Sequence, residues 1–186
     1  MTKQQTHISK FISLILRHNP AKFNFTIEYN GAWANTNDLI QLMKDNDKVV
    51  SIEDLDIVVA ADDKGRYSYS ADKSKIRANQ GHSIDVDLGL IALELKDIPN
   101  WLYHGTNSRF LDLILDTGLN KMGRHHVHLS DNIETAKTVG DRRLKKDTYT
   151  KILKISTIEM VNAGFEFYRA ENGVYLIDFV PAKYLR

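Results

Sequence analysis

The sequence predicts an α+β protein of two lobes, and three observations carry that expectation. Apolar runs of helical spacing and of strand-like alternation both occur, without the βαβ rhythm of a parallel sheet. The turn dipeptides Asn30-Gly31 and Asn172-Gly173 separate strand-like runs, as in antiparallel hairpins. An apolar connector from Val86 to Pro99, interrupted by Gly89, puts a boundary near residue 90 and gives lobes 1–90 and 91–186.

Composition narrows the class. The chain has 186 residues, 42% hydrophobic and 26% charged, enough for a sizeable core. Its net charge of +1 excludes a broad basic surface, so any nucleic-acid contact has to come from a local cluster of Arg and Lys. Without cysteine, disulfides and thiolate zinc sites are excluded. No apolar run reaches membrane-spanning length, and the first residues lack a signal peptide's apolar region. A cytoplasmic protein with no membrane partner is expected. No long amphipathic seam is present, so a monomer is expected.

Taken in order, Phe11, Ile12, Leu14, Ile15 and Leu16 make an apolar helix from about Ser9, which Asn19-Pro20 must end. Arg17 and His18 thus fall in its last turn, where cations favour the negative end of the dipole by roughly 0.3–1 kcal/mol each. Phe25-Thr26-Ile27 and Ala32-Trp33-Ala34 flank Asn30-Gly31 and predict a ribbon. Thr36 or Asn37 can cap a helix through Met43, and Ser51 with Asp54 can open another through Val59. Arg66 to Ser70 and Ile76 to Ala78 then alternate as a second hairpin, the wing of a winged-helix module. In the wing, Lys64, Arg66, Lys73, Lys75 and Arg77 face Asp62, Asp63 and Asp72, a balance that does not support sequence-specific DNA reading.

In the second lobe, Trp101-Leu102-Tyr103 predicts a buried strand ending at His104-Gly105-Thr106, followed by a helix to Gly118. In this reading Gly105 allows close backbone approach to a ligand, and Thr106 caps the helix, whose N-terminus suits an anion. The stretch Met122 to Ser130 follows. As a strand it sends Arg124, His126 and His128 to one side and Val127 and Leu129 into a core. Asp131 with Glu134 can open a helix ended by Gly140, and a charged loop runs from Asp141 to Asp147. Strands are expected at 149–155, 165–168 and 174–179.

No glycine framework for a Rossmann site or a P-loop occurs, so a bound nucleotide needs another geometry. A metal site at His125, His126 and His128 is disfavoured, because no carboxylate lies in the cluster and Arg124 would repel a cation. Arg17, His18, Arg66 and Arg124 are types suited to phosphate: guanidinium binds it bidentately and imidazole passes protons near neutral pH.

In sequence order, Leu-Arg-His-x-Pro, Arg66 before an aromatic, Gln80-Gly81-His82-Ser83, His104-Gly105-Thr106, Arg124-x-His-Val-His-Leu-Ser and Asn172-Gly-Val-Tyr-Leu resemble the RNA 2′-phosphotransferases of the KptA type, from Ser9 to Leu185. The resemblance implies an N-terminal winged-helix lobe and a C-terminal ADP-ribosyltransferase-like antiparallel β lobe with flanking helices. NAD⁺ would be held in the second lobe and RNA in a cleft. The implied reaction moves an internal 2′-phosphate of a tRNA-like RNA to NAD⁺ through an ADP-ribosylated 2′-phosphate. Transesterification then gives 2′-hydroxyl RNA, ADP-ribose 1″,2″-cyclic phosphate and nicotinamide. By the same resemblance the catalytic set falls on Arg17, His18, Arg66 and Arg124, with Arg77 the runner-up for the wing position. The NAD⁺ segment falls on His104, Gly105, Thr106, His126, His128 and Ser130, and no metal is implied. Gly65 stands where a longer polar residue is common, and His125 at a variable position. Two alternatives stay open: an ADP-ribosyltransferase acting on phosphate ends of nucleic acid or another acceptor, and a winged-helix binding module with an idle second lobe.

Overall fold

Alternating helices and short antiparallel strands build the chain in a computed structural model that describes residues 2–48, 51–142 and 144–186. It divides into two compact units, Met1–Gly89 and Leu90–Arg186. Among the described residues no helix is long and apolar enough to cross a membrane.

In the first unit, helix α1 (Lys3–Arg17) begins six residues before the expected start, because Thr2 and Gln5 form a reciprocal capping box. Strand β1 (Trp33–Asn35) leads into α2 (Thr36–Asp45), whose cap is Asn35 rather than Thr36 or Asn37. Ser51 caps α3 (Ile52–Ala60) through the Asp54 N–H, as its spacing implies. Strands β2 (Tyr67–Tyr69) and β3 (Lys75–Ala78) form the expected hairpin, and β1 joins them in the order β1-β3-β2.

The ribbon expected around Asn30-Gly31 does not form. Phe25 to Ile27 is not a strand, and β1 pairs with β3 instead, putting buried Ala34 opposite buried Ile76. The turn is tied elsewhere, with the Gly31 N–H on Asp87 O and the Asp87 N–H on Tyr29 O. Burial of one face, rather than the turn dipeptide, set the register. Ile12, Ile15, Leu16, Leu39, Met43, Leu55 and Ile76 make this unit's core.

Much of the connector does not pack as expected: Val86 and Ile98 are buried, whereas Ile91 is 85% exposed. In the second unit, β4 (Trp101–Asn107) runs past Tyr103 and carries His104, Gly105 and Thr106 within it. Helix α4 (Leu111–Thr117) stops at Gly118, as expected. Next come β5 (Leu119–Asn120), β6 (Val127–Leu129) and α5 (Ile133–Asp141). Asn132, not Asp131, caps α5, and Gly140 lies inside it instead of ending it. Of the charged loop, Arg143 lies outside the described residues.

Strand β7 (Thr150–Ser156) pairs along its whole length with β4. Helix α6 (Thr157–Asn162) has no counterpart in the sequence expectations. Strands β8 (Tyr168–Arg169), β9 (Tyr175–Ile177) and β10 (Phe179–Val180) complete the chain. The Asn172-Gly173 turn does join β8 to β9. Pairings are β4 with β7, β6-β9-β8, and β10 with β5, all antiparallel. A second core gathers Leu102, Leu129, Ile155, Met160 and Phe167.

Candidate active-site residues

Tertiary contacts in the first unit bring Arg17 and Arg66 together across 49 positions. The α1 backbone ends at Arg17, and its guanidinium donates from Nη2 to Arg66 O at 3.2 Å. It also lies 5.8 Å from the Tyr67 ring centroid. Tyr67 is pinned to α1 in turn, donating to Ser9 O at 2.6 Å and meeting Ser13 Oγ at 2.7 Å. Gly81 has φ +88° and lies beside Arg17, where a Cβ would come 3.6 Å from Nη1.

Arg66 is held on both sides. Its N–H donates to Asp62 Oδ2 at 2.5 Å and its Nη1 donates to Asp62 Oδ1, a carboxylate almost wholly out of water. The Asn79 N–H donates to Arg66 O at 2.8 Å, and Asn79 Nδ2 donates to Gly65 O. Arg77 is placed otherwise: its guanidinium stacks on Trp33, 4.5 Å from the ring centroid, and Nη1 reaches Gly31 O at 3.4 Å. Geometry thus separates the two wing arginines in favour of Arg66.

His18 caps the end of α1 and is exposed. Its Nδ1 is 3.0 Å from Ser83 Oγ, whose hydroxyl donates to Arg17 O at 3.4 Å. With that hydrogen committed, His18 Nδ1 donates, and Nε2 of the neutral ring is the basic nitrogen.

The second unit treats the histidine stretch as expected. Val127 and Leu129 are buried, and His128 lies on the other face of β6. Arg124 Nη1 donates to His128 Nδ1 at 3.1 Å. His104 Nδ1 donates to His128 O at 2.9 Å, which fixes its proton on Nδ1. Tyr103 and Ser130 exchange backbone hydrogen bonds of 2.8 and 2.9 Å, joining β4 to β6 beside these groups. His126 packs on Tyr168, ring centroids 5.9 Å apart, with Asp178 at 4.0 Å. Burial pushes its pKa down, against the opposing pull of Asp178. The Tyr168 phenol donates to Glu166, which with burial holds its pKa up at about 12.

Two expectations at His104-Gly105-Thr106 are corrected. Thr106 is a strand residue opposite Lys151, and Asn107 caps the following turn, so no helix N-terminus faces an anion there. Gly105 makes room for protein, because a Cβ would fall 1.9 Å from Ala136 O of α5. Gly140 repeats the device, 3.1 Å from Gly105 C, so helix and strand meet nearly backbone to backbone.

Asp62, Tyr67 and Ser83 were missed as partners of the arginines and His18. Only Asp62 left a signal, an acid four residues before Arg66. Among the described residues no three His, Asp or Glu side chains group as a metal site.

Guanidinium groups oriented by backbone and carboxylate contacts, with imidazoles of defined tautomer, characterise a transferase that handles phosphoryl groups. The model of the RNA 2′-phosphotransferase, Tpt1 / KptA family matches residues 3–179, and the chain belongs to this family. It is 45% identical over 181 residues to a Fusobacterium nucleatum protein named "Probable RNA 2'-phosphotransferase", covering 96% of each chain. Proteins of the same name from Flavobacterium johnsoniae and Acaryochloris marina are each 46% identical, over 96% and 99% of this chain and 93% and 97% of their own.

Proposed function

We propose that the chain removes an internal 2′-phosphate from RNA, with NAD⁺ as the co-substrate that takes the phosphate. The observation that carries this reading is the Arg17 guanidinium meeting the Arg66 main chain beside His18, three phosphate-competent residues from two distant segments. The first unit then serves as a winged-helix lobe and the second as an ADP-ribosyltransferase-like lobe.

The donor set of the second unit fits NAD⁺: His104 and His128 with fixed tautomers suit sugar hydroxyls, Arg124 suits phosphate, and the half-buried pair His126 and Tyr168 offers ring surface to a heterocycle. Gly105 and Ser130 would act through backbone placement and Thr106 through its buried hydroxyl. NAD⁺ supplies an anomeric carbon with a good leaving group, so a phosphate C–O bond forms as the bond to nicotinamide breaks. Arg17, Arg66 and Arg124 orient the phosphate and offset charge on its oxygens when a ribose hydroxyl later displaces the RNA oxygen. His18 Nε2 carries the proton, which ends on the RNA 2′-oxygen.

The test is to incubate an oligoribonucleotide bearing one internal 2′-phosphate with NAD⁺ and no divalent ion. Release of nicotinamide and 2′-hydroxyl RNA is expected; absence of both ends the reading.

A further inference from the structure

A cleft of ≈ 520 Å³ opens beside Arg66 in the first unit and has no part in the scheme above. Lys10, Ser13 and His18 line one wall, at spacings of three to five residues that place them along one side of α1. Asp63, Lys64 and Arg66 line the other. From Lys10 to His18 the helix rises about 12 Å at 1.5 Å per residue. At roughly 3.4 Å per stacked nucleotide, that run spans about three nucleotides of a single strand.

We propose that this cleft holds the RNA strand flanking the 2′-phosphate, with the exposed Lys10 and Lys64 ammonium groups on its phosphodiesters. The inference rests on the proposed function, which puts the reacting phosphate at Arg66 and His18, where the cleft ends. Three further arguments support it. The chain's net charge of +1 leaves RNA affinity to local cation clusters, and here two lysines border the groove with Arg66. Asp63 is the carboxylate among the lining residues, too little to favour a basic partner. Both lysines sit on flexible stems at the rim, which suits sequence-tolerant contact with a phosphate backbone. Asp63, as the opposing charge, would keep the strand from settling on Lys64 without entering the groove.

The experiment compares a 2′-phosphorylated dinucleotide with a 2′-phosphorylated single-stranded 10-mer, using wild type and the pair Lys10→Gln, Lys64→Gln. The ratio of kcat/KM for the longer over the shorter substrate should fall about tenfold in the double variant. The salt slope for the longer substrate should become shallower by about 0.7 per lost phosphate contact. An unchanged ratio overturns the proposal. Binding of an unphosphorylated, fluorescently labelled 10-mer is measured alongside and needs no turnover. Loss of affinity in the double variant supports the groove even if the wild type proves inactive on 2′-phosphate, and equal affinity overturns it.

Discussion

The Arg17 guanidinium donates to the main-chain carbonyl of Arg66, so one phosphate-competent residue holds the backbone of another. That carbonyl also accepts from the Asn79 N–H, and the Arg66 N–H donates to Asp62. Arg66 is therefore fixed at N–H, carbonyl and guanidinium before any ligand arrives, which lowers the ordering cost of phosphate binding.

If these residues work as proposed, His18→Ala and Arg124→Ala should slow the displacement at phosphorus more than the attack on the ribose. RNA bearing an ADP-ribosyl group should then accumulate in single-turnover gels. Full activity in both variants would remove these residues from the scheme.

Asp62 anchors Arg66 through a buried carboxylate. Asp62→Ala leaves the Arg66 N–H and guanidinium without that acceptor, a loss of about 1.5–3 kcal/mol for bonds to a charged group. A lower Tm and an activity loss of about tenfold are expected, with Asp62→Asn recovering part of both. Activity equal to wild type in Asp62→Ala would show that Arg66 needs no anchor.

Arg77 serves the other face of the sheet region, on Trp33. Arg77→Ala should lower stability by about 0.5–2 kcal/mol through the lost cation–π contact and keep kcat within about twofold. Arg66→Ala should show the reverse weighting. Denaturant melts and steady-state rates on both variants separate the two roles.

Gly105→Ala forces a methyl into the Ala136 carbonyl of α5. Overpacking of this kind costs about 1–3 kcal/mol, and here the obstacle is backbone, so the upper end is expected. Thermal unfolding reads it, and a wild-type Tm would mean that α5 shifts freely.

Burial holds the His126 pKa below its ordinary 6.5. In acid the unfolded chain therefore takes up this proton first, and stability present above pH 6.5 is lost as pH falls toward the folded value. His126→Gln should flatten the fall in urea midpoint between pH 7 and 5. An unchanged slope would assign acid sensitivity to other groups.

The local signals that proved sufficient were those whose physics is local. Asn19-Pro20 stopped α1, Ser51 capped α3, and the alternation of Val127, His128 and Leu129 set the faces of β6. The antiparallel α+β class followed from the same patterns, and the family followed from the order of the motifs. Where an outcome depended on a distant partner, sequence pattern misled: Asn30-Gly31 lost its ribbon because β1 could bury Ala34 only against β3.

By itself, then, the sequence determined which residue types were available for phosphate chemistry and where helices had to end. Only the tertiary structure decided that Arg66 rather than Arg77 meets Arg17, that Asp62 and Ser83 orient the site, and that Gly105 serves a helix. The reason is that an arginine's long side chain can reach several partners, and which one it finds is set by packing of residues some fifty positions away.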